Sequence, residues 1–207
     1  MRFNHLLKFR DQSYSYHPYG SVKSKQNNDV TSTTAYNAEH RLSKARIEHS
    51  NHNQRYGYVY DALGRRIEKH QLDTSGDQPY NRTHFLWNGL TMIRKPARIS
   101  TVASISTQTR NNYKPRASID KRGSEDEEIA YFHTDLNRCS EELNDANGEI
   151  LWKRSCQLWG KRFQEIEQES IEQNHRYQEQ YLDRETGLYY NMFRSYDSDI
   201  VDLPSQT

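Results

Sequence analysis

The chain has no long apolar run, no surplus of either charge and little cysteine. Of its 207 residues, 33% are hydrophobic and 28% charged, a lean mixture for a self-sufficient core. No stretch approaches the roughly 20 apolar residues that a transmembrane helix needs, so no membrane span of that kind is expected. The start, Met1-Arg2-Phe3-Asn4-His5-Leu6-Leu7-Lys8, lacks the apolar segment of a secretory signal peptide. The expected location is therefore cytoplasmic, unless a dedicated secretion system exports the chain within a larger protein. Twenty-nine basic residues against 28 acidic ones leave a net charge of +1, so no whole-chain field draws it to nucleic acid. Cys139 and Cys156 read as two independent reduced thiols, although pairing of their flanking strands would bring them within disulfide range.

Chemical motifs are equally sparse. There is no Gly-x-Ser-x-Gly elbow, no phosphate loop and no paired-cysteine motif. His49 and His52 lie three apart, but no carboxylate or thiol stands at a spacing that would complete a metal site, and they read as a polar loop. His133 and Asp135 alternate onto one strand face, where a base and its orienter would have to sit; they read as structural. Glu165, Glu167, Glu169 and Glu172 form a charge run suited to a solvated face. The expectation is a protein that is not an enzyme and holds no cofactor and no metal.

What the chain does have is tyrosine and turns. In Arg55-Tyr56-Gly57-Tyr58-Val59-Tyr60-Asp61-Ala62-Leu63-Gly64-Arg65-Arg66, Tyr56, Tyr58 and Tyr60 share one face of an extended strand. Asp61 and Gly64 take the first and fourth positions of a type I turn. Weaker copies recur at Tyr14–Gly20, with His17 in place of the Asp; at Tyr36–Leu42, with Asn37 there and no Gly; and at Phe85–Leu90, with an Asn-Gly pair. Two later copies are centred on Asp145 and Gly148, leading to Trp152, and on Asp183 and Gly187, leading to Tyr189 and Tyr190. Recurrence of turn chemistry with aromatic spacing predicts a mainly β, antiparallel repeat array.

By texture the chain divides into hairpins over 1–95, a disordered or loop linker over 96–128, a second strand-rich segment over 129–197 and a divergent tail over 198–207. The linker reading rests on Pro96, Pro115, a scatter of Ser and Thr, and blocks of opposite charge. Within the third segment, Gln164 to Gln173 has helix-forming composition with a thin apolar face, and both a short surface helix and an extended loop stay open.

These residues carry a resemblance. Tyr131-Phe132-His133-Thr134-Asp135, the Glu142–Trp152 block with Trp159-Gly160 after it, and Arg176-Tyr177-Gln178-Glu179-Gln180-Tyr181-Leu182-Asp183-Arg184-Glu185-Thr186-Gly187-Leu188-Tyr189-Tyr190-Asn191 with Arg194-Ser195-Tyr196-Asp197 resemble the C-terminal core of the Rhs proteins, the bacterial YD-repeat family. Tyr60-Asp61-Ala62-Leu63-Gly64-Arg65-Arg66 is similar to the YD repeat itself. The resemblance implies antiparallel strands wound into part of a hollow β-shell, which in many members encloses a toxic C-terminal domain delivered to competing bacteria and freed by aspartate-based self-cleavage. Departures accompany it. Arg138 replaces an expected Gly, Cys139-Ser140 replaces a small residue and Pro, and Tyr196-Asp197-Ser198 replaces Tyr-Asp-Pro. The Gly-Arg-Phe and Asp-Pro sequence that follows in the family is absent. The chain is thus expected to be truncated before the cleavage motif and toxin, and neither Asp199 nor Asp202 is assigned a self-cleaving role.

The leading expectation is a non-catalytic structural fragment of such a shell, its partners being other YD-repeat segments of a longer chain. Its repeat and core positions are Tyr58, Tyr60, Asp61, Gly64, Asp145, Gly148, Trp152, Trp159, Gly160, Asp183, Gly187, Tyr189 and Tyr190. The alternative is a carbohydrate or cell-surface binding module, in which exposed rows such as Tyr56, Tyr58 and Tyr60 stack on sugar rings.

Overall fold

The computed structural model describes residues 5–89, 91–95, 104–107, 115–120, 128–136, 139–156, 162–167, 173–176 and 180–199. Its local rule is visible between Tyr60 and Arg65. The Gly64 N–H donates to the Asp61 carbonyl and the Asp61 N–H to the Arg65 carbonyl, both at 2.9 Å. Asp61 Oδ1 meanwhile accepts the Leu63 and Arg65 amides at 3.0 and 2.8 Å. Gly64 sits at φ +83°, where a Cβ would also meet Arg41 Nη2 at 2.6 Å. This is a type I turn closed by a left-handed residue, and the ladder slips beside it between Val59 and Tyr60, as a G1 bulge requires. The same closure recurs at His17–Ser21, Asn37–Arg41 and Asp145–Glu149, each with its own register slip. At Asn37 the left-handed position is taken by His40, with φ 58°. Asp73 heads a longer version, in which its Oδ1 accepts the amides of Gly76, Asp77 and Gln78 at 2.8, 3.0 and 3.2 Å.

Strands follow one another in antiparallel order: β1 (Lys8–Phe9), β2 (Gln12–Tyr16), β3 (Val22–Gln26), β4 (Val30–Tyr36), β5 (Leu42–His49), β6 (Asn53–Tyr60), β7 (Arg66–Leu72), β8 (Pro79–Asn88) and β9 (Thr91–Lys95). They continue as β10 (Ser104–Thr107), β11 (Pro115–Asp120), β12 (Glu128–Thr134), β13 (Ser140–Asn144), β14 (Ile150–Cys156) and β15 (Arg162–Glu167). The last are β16 (Gln180–Asp183), β17 (Leu188–Asn191) and β18 (Arg194–Tyr196). The described residues contain no helix, and the protein is all-β.

Two compact units are present: Met1–Arg82 with Asp183–Thr207, and Thr83–Leu182. In the first, β1 to β7 form a meander, and β17 and β18 form a hairpin. Its core is Leu42, Ala45, Ile47, Tyr56, Tyr58 and Leu188, flanked by Val30, Tyr36 and Tyr60. In the second, β8 pairs with β9, and β10 to β15 form another meander. Phe132, Leu143 and Trp152 line up across neighbouring strands as its core.

Two expectations are corrected here. The 96–128 segment is not simply a linker, because it contains β10 and β11. Ser and Thr, which suggested a linker there, alternate with Ile in Ser104-Ile105-Ser106-Thr107, and that pattern is equally at home on a half-buried strand. Residues 162–167 are a strand, not a helix, with Glu165 directly opposite Arg154. Pairing with β14 overrides the helical propensity of Gln and Glu.

Gly57 gives a direct test of the meander. It faces His70 across β6 and β7, and a Cβ on it would lie 2.2 Å from His70 Nε2. His70 is held over this gap by Glu68, whose Oε1 is 2.8 Å from Nδ1. Gly57→Val is expected to displace the imidazole and cost about 1–3 kcal/mol by overpacking, read by urea titration. In a His70→Ala background the same change should cost much less, a coupling that a double-mutant cycle measures.

Candidate functional site

The most concentrated polar chemistry of the first unit is buried. The alternation of β6 turns Tyr56, Tyr58 and Tyr60 toward the core, opposite Gln71, Lys69 and Arg66 of β7. Arg66, 0% exposed, lies with its guanidinium carbon 4.3 Å from the Tyr58 ring centroid and 4.1 Å from that of Tyr190. Lys69 lies 5.3 Å over Tyr56. Both cations converge on Asp183, the last residue of β16. Arg66 Nη1 donates to its Oδ2 at 2.7 Å, and Lys69 Nζ stands in ion-pair contact with its Oδ1 at 2.6 Å. Lys69 also contacts Glu185. The Tyr190 hydroxyl accepts the Arg66 backbone N–H at 2.9 Å. A tight turn, closed by Gly187 N–H on the Asp183 carbonyl at 2.8 Å, carries the chain from Asp183 to Leu188 in the core. The arrangement is a clamp: β7 supplies two cations, and the segment from Asp183 to Tyr190 supplies carboxylates and a phenol.

Its electrostatics follow from burial. Burial opposes charge on Asp183, but Lys69 and Arg66 prevail and hold its carboxyl below the usual carboxylate range. Burial likewise opposes charge on Arg66, and Asp183 more than restores it. The phenols carry no compensating cation of equal strength. Burial raises Tyr58 well above its ordinary value, raises Tyr60, and lifts Tyr36 and Tyr190 to about 12. A phenol raised on folding contributes stability that is fully present below about 10, its unfolded value, and is lost as pH climbs toward the folded one. Alkaline titration is therefore expected to show the last part of the tyrosinate absorbance, that of the buried phenols, rising only together with loss of strand circular dichroism. Ionisation of the full complement of tyrosines ahead of unfolding would contradict the packing of these rings.

Other polar groups occur inside each unit. Lys25 Nζ bridges Asp197 Oδ2 at 2.9 Å and Asp199 Oδ2 at 3.0 Å. In the second unit Glu165 Oε1 accepts Trp152 Nε1 at 2.8 Å and Arg176 Nη2 at 3.0 Å.

The sequence-derived positions are distributed as follows. Tyr58, Tyr60, Asp183 and Tyr190 meet in the clamp. Gly187 shapes its turn at φ 70°, and Tyr189 is buried against Tyr196 at 6.2 Å. Asp61 and Gly64 form the β6–β7 turn, Asp145 and Gly148 the β13–β14 turn, and Trp152 the core of the second unit. Trp159 and Gly160 lie outside the described residues. Arg66, Lys69 and Glu185 complete the clamp without having been singled out. The available signal was the cations Arg65, Arg66 and Lys69 on the return strand of a tyrosine hairpin.

One reading changes. Tyr56 and Tyr58 are 2% and 6% exposed, so the tyrosine row packs inward and offers no platform for a sugar ring. His49 and His52 stack at 4.4 Å, and the described residues contain no group of three metal-binding side chains. Asp135 does not orient His133; its Oδ1 accepts the Cys139 amide at 2.7 Å and caps a turn.

No protein-family model matches the sequence. The chain is 29% identical over 219 residues to double-stranded DNA deaminase toxin A of Burkholderia cenocepacia, covering 95% of this chain and 15% of that protein. It is 40% identical over 68 residues to toxin protein Tse5 of Pseudomonas aeruginosa, covering 33% and 5%. Among solved structures, the crystal structure of TcdB2-TccC3-Cdc42 matches 94% of this chain with a TM-score of 0.60 at 15% identity, and that of TcdB2-TccC3-TEV does so with a TM-score of 0.61. The antiparallel all-β fold of this chain is thus similar to a part of those assemblies, and the chain spans about 12–15% of the length of the proteins it matches along most of its own.

Proposed function

We propose that this chain is a non-catalytic structural segment of an Rhs-type β-shell, serving a toxin-bearing protein by building and closing the wall around its cargo. The observation that carries the reading is the clamp. The most distinctive block of the Rhs-like sequence, Tyr181 to Asn191, contributes Asp183 and Tyr190 to a buried junction with the YD-type hairpin of β6 and β7. Its polar groups are consumed in holding strands together. The toxin-named relatives and the fold similarity to TcdB2-TccC3 structures support the same reading.

Grafting tests it. The purified chain is assayed for deamination of double-stranded DNA, and its intact mass is followed for self-cleavage. In parallel it replaces the matching segment of the Burkholderia toxin. A structural segment is inactive and uncut alone, and the chimera keeps the host's deaminase activity. Deamination or cleavage by the isolated chain, or a folded chimera that has lost activity, would overturn the proposal.

A further inference from the structure

We propose that Lys25 and Asp197 close into an intramolecular amide, with Asp199 carrying the proton between them, so that the chain fastens its β17–β18 hairpin to β3 by a covalent bond of its own making. Lys25 lies on β3, and Asp197 directly follows the last residue of β18. The two meet across 172 residues of chain, with Nζ 2.9 Å from Asp197 Oδ2. Asp199 Oδ2 stands 3.0 Å from the same nitrogen. All three residues belong to the first unit.

Each group that a condensation needs is in place. Lys25 Nζ is the nucleophile. Asp197, 2% exposed, is the electrophile. Its Oδ1 accepts the Asp199 backbone N–H at 2.9 Å, a donor that stabilises charge building on that oxygen during attack. The oxygen that departs is therefore Oδ2, the one against Lys25. Asp199 Oδ2 accepts Gln12 Nε2 at 3.1 Å and is placed to take a proton from the nitrogen and return it to the leaving oxygen. Tyr14, directly opposite Lys25 in the sheet, has its ring centroid 5.8 Å from Nζ. Val22 and Leu188 line the same small cavity as Lys25 and Asp197. An ion pair alone requires only the 2.9 Å contact. The second carboxylate, the N–H on Oδ1 and the apolar wall are what a condensation requires beyond it.

The reaction needs no further reagent. Burial acts against the charge on Lys25, and the two carboxylates more than restore it, so the resting pair is ionic. One proton transfer from Nζ to Oδ2 turns it into amine and acid. Nζ then bonds to Cγ of Asp197, the Cγ–Oδ2 bond breaks, and Oδ2 leaves with two protons as water. Asp199 ends as the carboxylate it began. Closure happens once per chain, so a sparsely populated neutral pair suffices. Holding the groups in contact supplies an effective concentration on the order of 10⁵ M or more, which favours the amide over the separated groups. Burial of Asp197 keeps water from reversing the step.

The folded 207-residue chain is incubated to constant mass, weighed by denaturing mass spectrometry and digested with trypsin. It is expected to be lighter than its sequence by one water. The digest should contain Ser24–Arg41 joined through Lys25 to Ser195–Thr207 through Asp197. Lys25→Arg keeps the positive charge, so it should retain both the strand circular dichroism and the full mass. Asp199→Ala should slow closure by about 10²-fold or more. A mass equal to that of the sequence overturns the proposal, and the joined peptide of the unsubstituted chain decides the matter even where a variant does not fold. Water loss that survives Lys25→Arg also overturns it, because a succinimide formed within the backbone loses water and joins no peptides. So does a fragment spectrum that places the link on another carboxylate. Closure of Asp199→Ala at the unsubstituted rate overturns the proton-carrying role.

Discussion

Asp183→Asn is expected to destabilise the first unit by about 3–5 kcal/mol, the range for leaving buried charge without its partner. The substitution preserves volume, so the loss is electrostatic. It removes the charge facing Arg66 and one of the two carboxylates on Lys69. Because Arg66 is also stacked between Tyr58 and Tyr190, it cannot reach water without dismantling the core. Removing both sides together, as Arg66→Met with Asp183→Leu, should cost far less than the sum of the single changes, since two apolar side chains need no counter-charge. The pH dependence carries the same signature. Asp183 has a lowered carboxyl in the fold, so its contribution is present above the unfolded value of about 3.9 and is lost as pH falls through the folded one. That component of acid unfolding should be missing in Asp183→Asn. Urea titrations by circular dichroism at neutral and acidic pH measure both effects. A neutral-pH loss below about 1 kcal/mol, the worth of an exposed pair, would mean the clamp is wet and dispensable.

The clamp also marks the limit of what local sequence conveys. The Asp61 and Asp145 turns are legible because every group that closes them lies within five residues. An acceptor at the first position and a residue tolerant of positive φ at the fourth are sufficient. Asp73-Thr74-Ser75-Gly76 obeys the same rule and goes unnoticed only because no tyrosine precedes it. The alternation of Tyr56, Tyr58 and Tyr60 is equally legible, yet period two says that they share a face, not which face is buried. The decision comes from Arg66, Lys69 and Asp183, which meet across more than 100 residues of chain. Nothing in the spacing of either segment encodes that meeting. The strands within 96–128 fail for a different reason: Ser and Thr serve loops and strands alike, and pairing with β12 decides between them.

Trp152→Ala is expected to be the most damaging single change in the second unit, at about 3–5 kcal/mol. The ring is 0% exposed and sits beside Leu143, which in turn faces Phe132. Truncation therefore opens a cavity in the middle of a three-strand apolar row. Two further losses add to the cavity. Glu165 loses the indole N–H that reaches its Oε1 at 2.8 Å. Arg154 and Arg176, at 6.0 and 5.6 Å from the ring, lose the aromatic face that stabilises buried cations. Trp152→Phe separates these terms. It keeps most of the apolar volume and an aromatic face but deletes the N–H, and should cost about 1–3 kcal/mol. The readout is selective, because Trp87, Trp152 and Trp159 all fall between Thr83 and Leu182. Urea unfolding followed by the fluorescence of Trp87 and Trp159 thus reports on the second unit in both variants. A Phe variant as damaged as the Ala variant would assign the stabilisation to the Glu165 hydrogen bond. An Ala variant that loses less than about 1 kcal/mol would mean that this row is not the core of the unit.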